Sequence, residues 1–257
     1  LCCGPLRTAF GSRRKSAIGW QYAFFALAAL VVLVMVPMAL FLREPKAVRS
    51  GPQQSMPEAI REAFAYKSFL LLLVGYFVCG FQLVFIGVHM PAYLKDRGLT
   101  DPGVAVMALA LIGLFNIVGS YMAGRLGGFL PKRYLLSSIY LTRAAAIALF
   151  LAVPLSPASV YVFSAVMGLL WLSTVPLTNG VIAGIFGVRY LSMLSGFVFF
   201  SHQVGSFLGV WLGGFLYTRQ GNYDTVWMIT IGLGICAALV NLPIDEKPIV
   251  RIQPATA

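Results

Sequence analysis

Ser201–Asp224 reads SHQVGSFLGVWLGGFLYTRQGNYD. Gly205, Gly209 and Gly213 recur every four residues, which lines them up along one stripe of a helix. Lipid gives two membrane helices no hydrophobic reason to associate, so small residues that allow close backbone approach must do that work. The stripe therefore predicts helix packing. His202 lies three residues before Gly205, on roughly the same face. Two readings stand for it: a ring hydrogen-bonded to a neighbouring helix, or a titratable group placed near mid-membrane for function.

The rest of the chain agrees with a membrane setting. Of its 257 residues, 59% are hydrophobic and 11% charged, with mean hydropathy +0.85. A soluble domain carries about 25% charged residues. Seven apolar stretches, 18–42, 68–92, 103–127, 134–153, 158–184, 190–217 and 226–243, are each about long enough to cross the hydrocarbon. The expected fold is an all-α polytopic bundle of about seven transmembrane helices. Residues 1–17 read as an atypical segment of a truncated chain, 43–67 as a cytoplasmic linker with a short surface helix, 68–243 as a six-helix domain and 244–257 as a cytoplasmic tail. Ser55 and Glu58 have capping-box spacing at the start of that surface helix.

The net charge of +11 would suggest nucleic acid in a soluble protein, but here the basic residues cluster between apolar stretches. Arg43, Lys46, Arg49, Arg61, Lys67, Arg125, Lys132, Arg133, Arg189, Lys247 and Arg251 fall on one side, and Lys95, Arg97 and Arg219 on the other. The side richer in Lys and Arg is expected to be cytoplasmic, with the C-terminus on it. Arg7, Arg13, Arg14 and Lys15 break this alternation, as they would in a chain cut from a longer one. No nucleic acid, metal or cofactor is expected. Cys79 and Cys236, inside apolar stretches, read as small packing residues, and Cys2–Cys3 gives no disulfide pattern.

Few polar residues interrupt the apolar stretches. Arg143 lies nine residues from Tyr134, about 13 Å along a helix at about 1.5 Å per residue, too far to snorkel. A charge there costs at least ~2.5–3.5 kcal/mol. No acid lies inside any of the seven stretches to offset it. Its partner is then an anionic substrate, a carboxylate from elsewhere in the protein, or carbonyls and water. Gln82 and His89 share a face two turns apart, which suits either an outward vestibule or interhelical hydrogen bonding. Asn116, Ser120 and Gly124 step by four and read as a packing stripe. Trp171, Thr174 and Thr178 share a face, with Asn179 nearby and Pro176 able to kink the helix. Basic and amide groups without acids favour an anionic or polar solute, and proton coupling would fall to His202 or His89.

Gly124–Leu136, GRLGGFLPKRYLL, resembles the loop signature of the major facilitator superfamily at Gly124, Leu126, Lys132 and Arg133. It departs where that signature has its acid, with Gly128 and Phe129 in place, and at Pro131. The stretches FVCGFQLVFIGVHMPAYL and 201–246 look like bacterial permeases related to monocarboxylate and oxalate/formate carriers, and Gly19–Leu30 resembles their sixth helix. The resemblance covers about 18–248. It implies helix six plus the C-terminal six-helix half, with an N-terminal half as partner, in a bacterial inner membrane. It also implies a solute held between two halves that rock in alternation. Carboxylate carriers of that family hold the anion with a cation on the helix matching the third or sixth stretch. Here the cation, Arg143, is on the fourth, and His202 is the nearest occupant of the sixth.

The leading expectation is a secondary transporter of a small organic anion such as a monocarboxylate, driven by protons. The alternatives are a carrier of neutral or cationic solutes and a seven-helix receptor. An enzyme would want paired carboxylates, a metal cluster or a nucleophile with its base, and this chain has two histidines and no acid in its apolar stretches.

Overall fold

The computed structural model describes residues 5–41 and 54–249, without the side chains of 5–18 and Trp20. Cys2 and Cys3, the basic side chains of 1–17, the linker residues Arg43, Lys46 and Arg49, and Arg251 in the tail lie outside the described residues. Among the described residues every regular element is helical, and seven helical stretches are long and apolar enough to cross a membrane.

The chain divides into two units, 1–52 and 53–257. The first contains α1 (Pro5–Phe41), whose apolar part, Gln21–Phe41, has the length of a membrane span. The second holds α2 (Met56–Ala65), α3 (Lys67–Asp96), α4 (Pro102–Leu126), α5 (Lys132–Ala152), α6 (Pro157–Leu170), α7 (Thr174–Phe186), α8 (Leu191–Gln220) and α9 (Asp224–Asn241). Together α6 and α7 make one crossing.

Local chemistry sets the ends. Asp101 caps α4 by accepting the Gly103 N–H at 2.8 Å, and Pro102 at the first helical position needs no partner for the hydrogen it lacks. Ser156, Pro157 and Ser159 start α6 in the same way. Gly221, at φ +72°, closes α8 in the left-handed region that glycine enters without strain. The Glu58 carboxylate accepts the Ser55 N–H at 2.8 Å at the start of α2.

Three helix pairs, α3–α8, α4–α6 and α5–α9, build the second unit. In α3–α8 the backbones touch. A Cβ on Gly205 would strike the Phe77 carbonyl, one on Gly209 the Phe81 carbonyl and one on Gly213 the His89 ring. Gly80 of α3 meets the His202 carbonyl in return. In α4–α6 the close approach is at Gly119, against the Leu169 carbonyl, and at Gly168, against Ile112. This corrects the stripe expected from four-residue spacing. Ser120 is half-buried and Gly124 is exposed, touching Pro176 only at ordinary van der Waals distance. The buried residues of α4 are Val104, Ala108, Ile112, Gly119 and Ala123: the first three share the four-residue register of Asn116, and from Gly119 onward the buried row is shifted by one residue.

The expected kink at Pro176 is also displaced. The break falls at Trp171–Ser173, and Pro176 is the third residue of α7. Amide hydrogens of a helix's first turn have no intrahelical acceptor, so proline costs nothing there.

After α9 the chain runs back across the helix ends. Ile244 is fully buried, the Asp245 N–H reaches Ser68 Oγ at 2.9 Å and the Ile249 N–H reaches the Ile185 carbonyl at 3.0 Å. Glu246 accepts the Arg133 N–H at 2.7 Å and lies 3.7 Å from Lys132 Nζ. The loop's Lys132 and Arg133 thus find their acid in the C-terminal strap, and Arg133 also donates to the Ile244 carbonyl. Leu126 of the same loop is partly exposed.

Candidate functional site

The break between α6 and α7 is held from two sides. The Arg143 side chain, fully buried, donates through Nη2 to the carbonyls of Leu170 and Trp171, the latter at 2.7 Å. These carbonyls end α6 and have no intrahelical donor, and a cation there also faces the negative end of the helix dipole. From the other side Asn116 Oδ1 accepts the Leu172 N–H at 3.0 Å and the Ser120 hydroxyl at 3.2 Å. Of the partners open to Arg143 from its sequence position, carbonyls are the ones it meets here.

A second arm of the guanidinium, Nη1, donates to Cys79 Sγ at 3.3 Å. The thiol is buried and also lies 3.5 Å from the hydroxyl of Thr174, the first residue of α7. His202 contacts Cys79 from α8. Its ring stacks on Phe199 and lies beside Tyr76, with Nδ1 3.2 Å from Gln203 Oε1 and 3.3 Å from Ser206 Oγ. Tyr140 lies under the guanidinium, with its hydroxyl donating to the Gly75 carbonyl at 2.7 Å. Arg143, Cys79, Thr174 and His202 thus bring four helices to one polar point inside an apolar bundle. Arg143 Nε has no hydrogen-bond partner.

Arg143 and His202 are the two expected site residues that converge. Gln82, fully buried, donates to the Thr230 carbonyl at 3.0 Å and joins α3 to α9. His89 bridges the Val210 carbonyl through Nε2 at 3.1 Å and the Tyr223 hydroxyl through Nδ1 at 3.2 Å. A carbonyl only accepts, so Nε2 carries the proton, and in the neutral ring Nδ1 accepts from Tyr223. A shallow groove of about 490 Å³ lies beside it, lined by Trp211, Phe215 and Arg219 among others. Asn179 Oδ1 accepts the Ser195 hydroxyl at 2.8 Å, joining α7 to α8.

Cys79 departs from its reading as a packing residue: it stands at the centre of the cluster. Within FVCGFQ nothing local marks it, because the groups that reach it come from α5, α7 and α8. Tyr76 and Tyr140 were likewise not legible. Among the described residues no group of three or more metal-ligating side chains comes together.

A profile of the Major Facilitator Superfamily matches residues 14–179, from α1 through the break and into α7. The chain belongs to the Major Facilitator Superfamily. It is a multi-pass membrane protein of a transporter family. Among curated relatives of this superfamily member, the uncharacterized MFS-type transporter YcxA of Bacillus subtilis is 24% identical over 89% of the chain and 58% of its own length. A probable sugar efflux transporter of Mannheimia succiniciproducens is 22% identical over 88% of the chain and 58% of its length. The MFS transporter asaE of Aspergillus flavus is 26% identical over 85% and 49%. This superfamily member therefore spans about half to three-fifths of the length of the relatives it matches.

Proposed function

We propose that the full-length protein carrying this chain is a secondary transporter that moves a small organic anion, such as a monocarboxylate, by alternating access. The observation that carries the reading is Arg143: a fully buried cation at an interrupted membrane helix, with the seven acids among the described residues at helix ends, in α2 or in connecting segments. A buried cation with no carboxylate of the bundle beside it favours an anion, and a carboxylate substrate would supply one. The resemblance of 77–94 and 201–246 to monocarboxylate and oxalate/formate carriers supports the same class. His202, a member of the cluster, is the histidine whose ordinary titration range suits proton coupling. The distribution of Lys and Arg supports a C-terminus in the cytoplasm, and the resemblance to bacterial permeases supports a bacterial inner-membrane setting. The relatives' greater length supports a site completed by a second half of the protein.

The test is uptake by the full-length protein in proteoliposomes. Small carboxylates are compared with sugars and amines, with and without an inward proton gradient, in wild type and Arg143→Ala. The expected result is gradient-driven carboxylate uptake that the substitution abolishes. Transport of sugars alone, the solute in the printed name of the Mannheimia succiniciproducens relative, would overturn the anion reading. Unchanged carboxylate uptake in a folded Arg143→Ala protein would overturn the role of Arg143.

A further inference from the structure

Arg143 meets one side chain able to release a proton and take a negative charge through a direct hydrogen bond, and that is Cys79. Guanidinium only donates, so at 3.3 Å the sulfur is the acceptor. Thr174 brings a second contact, through its hydroxyl at 3.5 Å, and it does so from the first turn of α7, where the positive end of the helix dipole favours an anion. Thiolates form where a cation and a helix N-terminus meet the sulfur.

The groups facing Cys79 from each element leave it as the acid. On α5 these are Arg143 and Tyr140, whose hydroxyl is committed to the Gly75 carbonyl. On α3 it is Tyr76, on α7 Thr174, and on α8 His202. Phenols are weaker acids than thiols by about 1.5 units. The acids at the ends of the spanning helices are remote: Asp96 is 17 residues along α3, ~25 Å at ~1.5 Å per residue.

We propose that Cys79 is a thiolate and the counter-ion of Arg143, and that it accepts a proton when an anion replaces it on the guanidinium. The second half rests on the anion-transport reading; the first does not. In the exchange a substrate carboxylate takes the Nη1 hydrogen bond from Sγ, and a proton from solvent forms the S–H bond. No other covalent bond forms or breaks and no electrons change hands. One anion and one proton enter together, so the buried charge is unchanged, and proton coupling is achieved without a carboxylic acid.

The experiment uses the full-length protein in detergent micelles. Far-ultraviolet thiolate absorbance is recorded as wild type minus Cys79→Ser, titrated across about pH 5 to 9, a window that includes the ordinary thiol value near ~8.5. An ordinary thiol is about 3% ionised at pH 7. The expected difference at pH 7 approaches one thiolate per chain, about thirty-fold more, and Arg143→Met removes it. A difference no larger than that of an ordinary thiol overturns the proposal, and this comparison needs no Arg143 variant to fold. Adding a transported carboxylate should then lower the thiolate signal and take up one proton per site, read with a pH dye. A thiolate signal that no carboxylate alters supports the counter-ion and rejects the exchange. Failure of carboxylate uptake in vesicles rejects the transport reading alone.

Discussion

The amide oxygen of Asn116 on α4 accepts the backbone N–H of Leu172 at 3.0 Å, across the interruption between α6 and α7. A side chain from one helix thereby replaces the bond that an unbroken second helix would have made for itself. Asn116→Ala is expected to destabilise the bundle by about 1 kcal/mol, the ordinary worth of such a bond. Asn116→Gln, which keeps an amide oxygen without adding a charge, should lose less. Thermal unfolding in detergent compares the two, and equal midpoints for wild type and Asn116→Ala would contradict the assignment.

Gly205 and Gly214 lie on the same helix and make opposite predictions. A Cβ at Gly205 would overlap the Phe77 carbonyl, whereas at Gly214 it meets nothing within 4 Å. Gly205→Ala should cost at least about 1–3 kcal/mol, the range of overpacking in a tight core. Gly214→Ala should be neutral or stabilise by up to ~1 kcal/mol through helix propensity. Chemical denaturation of the two variants side by side checks the sign of each effect.

Glu246→Gln removes the charge that Lys132 and the Arg133 N–H share. The carboxylate is partly exposed, so solvent screening limits the loss to about 1 kcal/mol. The more telling readout is local. Amide exchange should speed up at Ile244–Ile249 and stay unchanged in the middle of α3. Uniform protection along the strap would show that Glu246 does not hold it.

Glu58 gives a pH prediction at the start of α2. Accepting the Ser55 N–H stabilises its carboxylate and holds the group below the ordinary value of 4.5. The folded value is the lower one, so the stabilising contribution is complete above the unfolded value and disappears as pH falls through the folded one. Protection of the α2 amides, corrected for the intrinsic pH dependence of exchange, should therefore fall on acidification through that window, and Glu58→Gln should flatten the response. A variant with the same acid dependence as wild type would place the titration elsewhere.

Hydropathy and the four-residue glycine spacing were enough to read the seven crossings and the α8 stripe, because both are repeated many times within one helix. Arg143 was also legible, since a charge amid apolar residues stands out in any reading. The break at Trp171–Ser173 was not. It contains neither glycine nor proline, and the groups that stabilise it, Arg143 and Asn116, are 28 and 55 or more residues away in sequence. Local signals pointed instead to Pro176, which the first turn of α7 absorbs. Cys79 was hidden for the same reason, as its neighbours are assembled by tertiary packing. Asn116 and Ser120 form a polar row of α4 that reaches the break by hydrogen bond, while the close backbone contact is made one residue away, at Gly119. A single sequence does not say which of two neighbouring rows turns inward.

The meeting of α3 and α8 has a mechanical consequence. At Gly205 and Gly209 the main chain of one helix rests on the carbonyls of the other, with no layer of side chains between them to slide or re-pack. Such a pair behaves as a single strut. Shear between the two helices would drive Cα atoms into carbonyl oxygens within a fraction of a turn. The α6–α7 crossing is built the opposite way, from two short rods coupled through side-chain hydrogen bonds that can exchange partners. Bending of this bundle would therefore fall at the α6–α7 crossing rather than along the α3–α8 strut.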